Sequence, residues 1–305
     1  MLILTHIGNS VPNYIENSIL QIKKINPNYK IIFLVNQSNC DHIFFKRNNI
    51  ETFPIESLVS DRVTMFLKNF CGRHFSFWNE DIIYGEDGFW CTSAVRLFLI
   101  YEYCNKNNVK SFFHFENDVL IYEKFEVIES IIKNNLSLEN KILITRGDDY
   151  HIMTGFMYVA DISVYEHMLD ELNKFVYDKS IFQSLNGNFN SEMGLLHLYQ
   201  KLNSDKMLNL PIFIDDNLCL GENGFNSVFD PATYGQFLDG IPSEPGISIL
   251  PGSHFISEKS KSCQNFKINF KYIDGLKIPF ILCNNVEVKI NSLHIHSKRL
   301  ELFLS

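Results

Sequence analysis

The seven cysteines of this 305-residue chain (Cys40, Cys71, Cys91, Cys104, Cys219, Cys263, Cys283) include no pair with the close spacing of a zinc knuckle or a redox motif. Odd in number and widely scattered, they are expected to be free, mostly buried thiols in a reducing compartment. No apolar run approaches the roughly 18 residues of a membrane span. Met1–Ile7 is apolar but lacks a charged n-region, and His6 interrupts it early, so a buried first strand is expected rather than a signal peptide. A cytoplasmic protein is expected. Excess positive charge is absent as well: 27 Lys and Arg face 35 Asp and Glu, a net charge of -8. That balance argues against wholesale nucleic-acid binding, which needs a basic face. Repeats and low-complexity linkers are also missing.

Apolar residues make up 46% of the chain, ample for a buried core. The charge is unevenly spread. Pro251–Ser305 holds eight Lys or Arg against four Asp or Glu, leaving -12 for the remainder. A basic tail folded over an acidic body suits a small phosphorylated ligand, and a solvated surface stretch gives the same count.

Strands and helices alternate in the first half. Leu2–Ile7 and Lys30–Val35 are apolar strands, Pro12–Lys24 has helical spacing, and Asn49–Pro54 is a third short strand. Thr92–Cys104 is an apolar helix around Arg96, and Val109–Phe115 is a strand running into Glu116-Asn117-Asp118. Further strands are expected at Lys141–Thr145, Gly155–Val159, Phe266–Ile273 and Val286–Ile295, and helices at Val164–Phe175 and Ser191–Leu202. Asp230-Pro231 reads as a helix start, with a carboxylate N-cap and proline at the first helical position. Alternation of this kind implies a mainly parallel sheet with helices on both faces and ligands at the carboxyl ends of its strands.

The sharpest local feature is Glu116-Asn117-Asp118 at the end of an apolar strand. Side chains alternate along a strand, so both carboxylates point one way, about 6.6 Å apart. A hard cation such as Mn²⁺ or Mg²⁺ between them relieves their repulsion and also accepts phosphate oxygens. A strand leaving the core into a polar loop has the same sequence. Near the C-terminus, Leu293-His294-Ile295-His296-Ser297-Lys298 alternates again, with two imidazoles able to join a metal site and a lysine suited to a diphosphate. Two surface histidines are the competing account. Arg96, in an apolar helix, needs a carboxylate, a phosphate or sugar hydroxyls as partner.

These features resemble the GT-A class of nucleotide-sugar glycosyltransferases, in which a nucleotide-binding half ends in an acid-x-acid motif and a late histidine completes the metal site. Three segments resemble bacterial and viral members more closely: the Arg96 helix through Asp118, Phe229-Asp230-Pro231-Ala232-Thr233-Tyr234-Gly235-Gln236-Phe237-Leu238, and Ile290–Lys298. The resemblance implies a GT-A-like, Rossmann-like α/β domain with a mixed, mainly parallel central sheet flanked by helices. It implies one domain over 1–305, with a nucleotide-binding half (1–120) and an acceptor half (121–305) carrying a metal and diphosphate segment. Thr5, His6 and Gly8 fit the loop that cradles the nucleobase, and Asn36 ends the neighbouring strand. Glu116, Asp118 and His294 or His296, the latter favoured, are the implied metal ligands. Arg96, Asn117 and Lys298 complete the donor site. The motif departs from the class by beginning with Glu rather than Asp.

The implied reaction is metal-dependent transfer of a sugar from a nucleotide-diphosphate donor, with UDP-sugars favoured, to a glycan or other hydroxyl. An inverting enzyme needs a general base. Glu192, at a helix start, is the first candidate, with Asp148 and Asp149 as rivals; an acid in a first helical turn also simply complements the dipole. Thr154-Gly155-Phe156 resembles the acceptor-side strand, and Trp78, Trp90 and Tyr150 are candidates to stack on sugars. The alternatives are a nucleotide-sugar hydrolase and a non-catalytic nucleotide-sugar or glycan-binding module. A nucleotidyltransferase is disfavoured, because Gly8-Asn9-Ser10-Val11-Pro12 has one glycine and no basic residue where that class has a glycine-rich, basic loop.

Overall fold

A computed structural model of the chain describes residues 1–71, 86–135, 138–178, 180–181, 191–213, 224–235, 238, 267–283 and 286–305. Thirteen strands are assigned there: β1 Leu2–His6, β2 Ile31–Val35, β3 Glu51–Pro54, β4 Phe112–His114, β5 Val119–Ile121, β6 Ile142–Arg146, β7 Ile152–Val159, β8 Met207–Asn209, β9 Ser227–Val228, β10 Lys267–Ile273, β11 Leu276–Cys283, β12 Val286–Ile290 and β13 Ser292–His294. The central sheet has the order β3-β2-β1-β4-β7-β6-β8. Six of these strands run one way and β7 runs against them. The fold is therefore the expected mixed, mainly parallel α/β sheet flanked by helices.

Why both faces are covered is written in the strands. Leu2, Leu4, Phe33, Val35 and Phe113 enter one core cluster, while Ile3, Ile32, Leu34 and Phe112 enter another. Continuous apolar strands of this kind fit a sheet buried on both sides. On the first face lie the helices Asn13–Ile25 and Phe125–Asn134; on the second lie Asp61–Cys71, Glu86–Lys106, Ile162–Tyr177 and Glu192–Leu202. A smaller sheet, β10-β11-β12-β9, builds a third core with Leu120, Tyr122, Leu293 and Ile295.

Two expected elements differ. Asp230-Pro231 starts no helix: Ala232 takes a left-handed φ of 62°, which a right-handed helix cannot contain. The stretch Val286–Ile295 is two strands, because the chain changes sheets at Asn291: β12 pairs with β11 and β9, and β13 turns away to pair with β5. The thiol expectation fails at Cys91, which is disulfide-bonded, whereas Cys40 and Cys104 are free. Among the described residues no helix is long and apolar enough to cross a membrane. Trp78, Asn190, Gln236, Phe237, Phe266 and the side chain of Trp90 lie outside the described residues.

Candidate active site

The acidic triplet does not lie on a strand. β4 ends at His114, and Glu116–Asp118 form a turn closed by the Val119 amide donating to the Glu116 carbonyl at 3.1 Å. Asn117 Nδ2 ties this turn to β1 by donating to the Thr5 carbonyl at 2.9 Å. The turn sets the two carboxylates side by side, and strand pairing brings the histidine to them. β13 runs antiparallel to β5 with His294 opposite Val119, and the Ile295 amide donates to the Asp118 carbonyl at 2.9 Å. His294 Nε2 thereby reaches 3.3 Å from Glu116 Oε2 and 3.1 Å from Asp118 Oδ2. The imidazole facing the carboxylates is that of His294 and not the favoured His296, whose ring lies beside it at 4.6 Å.

Cations flank the pair on both sides. Arg96 Nη2 donates to Glu116 Oε1 at 2.5 Å and to Thr154 Oγ1, and lies 3.4 Å from Glu192 Oε1. Thr154 in turn donates to Glu116 at 2.7 Å, and Ser93 donates to Glu192 Oε2 at 2.6 Å. Lys298, held at a φ of 61°, donates to Asp118 Oδ2 and passes over the Tyr14 ring at 5.5 Å from its centroid. Burial pushes the Asp118 carboxyl up, but His294 and Lys298 outweigh it and hold it well below the carboxylate range. Glu116, against the same opposing burial, is drawn to about 2, chiefly by Arg96. His294 is raised, since Asp118 and Glu116 overcome its desolvation, while burial and the neighbouring His294 drive His296 down to about 3. Glu192 goes the other way: burial lifts it, with Arg96 only partly opposing.

Glu116, Asp118 and His294 each offer a donor atom within 4.8 Å of the others. Two hard carboxylate oxygens and one imidazole nitrogen fit Mn²⁺ or Mg²⁺. Buried carboxylates this close need positive charge between them, which the Lys298 ammonium and the His294 ring supply at Asp118. Gly155 makes room for the histidine, since a Cβ there would lie 3.1 Å from His294 Nδ1. The group opens into a cavity of about 340 Å³ at the carboxyl ends of β1 and β4. Thr5, His6, Arg96, Asn117, Glu192, His296 and Lys298 line it together with the three donors. Thr5 Oγ1, Asn117 Oδ1 and His296 Nε2 are buried polar atoms of this lining without a hydrogen-bond partner, and such atoms are what a polar ligand satisfies.

Gly8 and Asn36 sit just beyond this lining. The Gly8 amide donates to Asn36 Oδ1 at 2.8 Å, and Asn39 Nδ2 donates to the Gly8 carbonyl at 2.7 Å, pinning the loop after β1. Asn36 also borders a second cavity of about 280 Å³ with Asn9, Ser38 and Glu56. Asp149 is on an exposed loop, paired with Arg146 at 3.5 Å, and Asp148 is occupied by His151; neither lines the cleft.

Ser93, Tyr14, Gly235 and the scaffolding role of Asp230 were not singled out in the sequence as parts of the site. Ser93 is three residues before Arg96 and so shares its helical face, a legible signal. Thr154 is singled out in the sequence only as an acceptor-side residue; a threonine hydroxyl in the fully buried β7 needs a polar partner. Tyr14 and Gly235 are brought in by contacts across the chain that no local spacing reveals.

A mixed, mainly parallel α/β sheet thus carries an acidic turn after β4 and a late histidine-lysine segment at one cleft. No family model and no curated protein matches the chain. Among solved structures it is similar to mouse xyloside xylosyltransferase 1 in its apo form, with 10% identity over 69% of this chain and 84% of that one at a TM-score of 0.48. It is also similar to the galactosyltransferase LgtC in complex with donor and acceptor sugar analogues, at 10% identity, 69% and 73% coverage and a TM-score of 0.41. A cytidylyltransferase from Leptospira borgpetersenii gives 11%, 70% and 76%, and 0.39.

Proposed function

We propose that this chain is a divalent-metal-dependent glycosyltransferase that takes a sugar from a nucleotide-diphosphate donor, with UDP favoured, and passes it to a hydroxyl of a glycan. The observation that carries this reading is the convergence of Glu116, Asp118 and His294 within 4.8 Å, with Arg96 and Lys298 each bonded to one of the two carboxylates. Mn²⁺ or Mg²⁺ held there would supply charge neutralisation for the departing diphosphate. On this reading residues 1–120 bind the nucleotide, and 121–305 bind the acceptor and complete the metal and diphosphate segment.

The chain's own groups have separable tasks. Arg96, engaged by Glu116, Thr154 and Glu192, is a fixed charge that orients the Glu116 and Glu192 carboxylates. Lys298 is bonded to Asp118, but its side chain is 42% exposed and its ammonium has further N–H groups to offer a phosphate oxygen at the cleft mouth. Glu192 has a raised proton affinity and lines the cleft, which suits a group that accepts the proton of the attacking hydroxyl.

Isothermal titration of UDP into metal-free protein, with and without Mn²⁺, for wild type and Asp118→Ala, tests the reading. Binding that needs Mn²⁺ and disappears in the variant is expected. Equal binding without metal, or none to any nucleoside diphosphate, overturns it. Product analysis with UDP-sugars then separates transfer from hydrolysis.

A further inference from the structure

The cleft wall continues past its two methionines onto a small aromatic shelf. Met153 of β7 and Met193 of the helix Glu192–Leu202 both line the cleft. Residues two apart on a strand share a face, and residues four apart on a helix lie one above the other. His151 stands two residues before Met153 at the entry to β7, and His197 one helical turn from Met193, about 6 Å further along the helix axis, so both lie beside the cleft rather than in its lining. The Tyr150 ring lies edge-on to His197 at 6.2 Å and 63°, and Arg146, Lys201 and His151 are near enough to act electrostatically on the His197 ring.

Tyr150 is 69% exposed, yet its loop is tightly built. Its amide donates to Asp148 Oδ1 at 2.7 Å, and the same carboxylate meets His151 Nδ1 at 2.8 and 2.9 Å. Arg146 Nε donates to the Asp148 carbonyl at 2.8 Å, and the Gly147 amide donates to the His151 carbonyl at 3.0 Å. An aromatic face presented by a pre-formed loop loses little conformational entropy on binding. Tyr177 and Tyr272 are as exposed; Tyr150 differs in contacting His197, one helical turn from the cleft-lining Met193. The shelf holds Arg146 and Lys201 against Asp148 and Asp149, a balance that favours an uncharged ligand over a phosphate. It stands on β6 and β7, away from the β1 loop at the proposed nucleotide end.

We propose that Tyr150 and His197 form a saccharide subsite beside the cleft, where a pyranose ring stacks its C–H face on Tyr150 while Arg146 and Asp149 take its hydroxyls. This rests on the glycosyltransferase reading and names the acceptor as a glycan that extends past the cleft wall. Aromatic stacking of this order corresponds to about tenfold in affinity.

The test is binding of the full chain to an immobilised array of hexose, N-acetylhexosamine and deoxyhexose oligosaccharides. Wild type, Tyr150→Ala and Tyr150→Phe are compared, with Mn²⁺-dependent UDP titration run on each. Saccharide binding about tenfold weaker in Tyr150→Ala, kept in Tyr150→Phe, and UDP titration unchanged in both is the expected result. Saccharide binding that survives Tyr150→Ala overturns the subsite, as does a wild type that binds UDP with Mn²⁺ but no saccharide. Loss of saccharide binding in Tyr150→Ala, in a wild type that binds no UDP, upholds the subsite and removes the donor reading instead.

Discussion

Gly235 packs against the backbone of His294 so closely that a Cβ at Gly235 would stand 1.9 Å from the His294 carbonyl oxygen. The contact joins two segments that sequence resemblance had singled out separately, and it sets the height at which the imidazole meets Glu116 and Asp118. Gly235→Ala must therefore displace a backbone, not a side-chain tip. Overpacking of this kind costs about 1–3 kcal/mol or more. Urea denaturation is expected to show that loss, and Mn²⁺ titration a weaker site. A variant as stable as wild type with unchanged Mn²⁺ affinity contradicts the contact.

Asp230 is the other half of the same latch. Its Oδ1 accepts from the Thr233 and Tyr234 amides at 2.7 and 2.8 Å, and its Oδ2 from the Gly235 and His294 amides at 2.8 and 2.9 Å. Asp230→Ala leaves four buried donors without their acceptor, at a cost of about 3 kcal/mol or more. Asp230→Asn, which keeps one oxygen, is expected to fall between. Equal unfolding midpoints for all three proteins count against the latch.

The carboxyl of Glu192 predicts a pH effect. Burial raises it above its ordinary value, Arg96 opposing. Between the ordinary and the raised value the folded chain keeps a proton that the unfolded chain has released, so stability falls as pH rises through that window. Below the window both forms are protonated, and above it the loss is constant. Stability of wild type relative to Glu192→Gln, followed by urea unfolding from acid to neutral pH, should decline across the window and then level. A constant difference would remove the raised carboxyl.

Much of this was legible in the sequence, and the exceptions share a cause. β1 and β2 announce themselves as continuous apolar runs, and Arg96 as a charge needing a partner, because local pattern and burial agree there. The acidic triplet is legible as a pair of neighbouring carboxylates, but they sit in a turn rather than on a strand, and the histidine reaches them because β13 pairs with β5 across more than 170 residues of chain. Asp230-Pro231 looks like a helix start because a carboxylate accepting amides three to five residues ahead has the same composition whether a helix or a left-handed Ala232 follows. Which histidine faces Glu116 and Asp118 likewise depends on a register. Alternation alone gives His294 and His296 the same face, and only the pairing of His294 with Val119 separates them.

That separation yields the sharpest prediction. A metal ligand must offer a lone pair, so His294 has to be neutral to bind Mn²⁺. In the metal-free chain Asp118 and Glu116 overcome burial and raise its proton affinity. Below that raised value binding must expel a proton, and the apparent Mn²⁺ affinity climbs by about tenfold per pH unit before it flattens. The carboxylates add no slope near neutrality, since Glu116 titrates at about 2 and Asp118 is also well below its ordinary range. His296, drawn down to about 3, is already neutral there and adds none. Titration calorimetry in buffers of different ionisation enthalpy should therefore count one released proton in wild type and none in His294→Ala, whose weaker binding should be flat with pH. A wild type that releases no proton in this range would take His294 out of the coordination shell and leave its contact with Asp118 an ion pair.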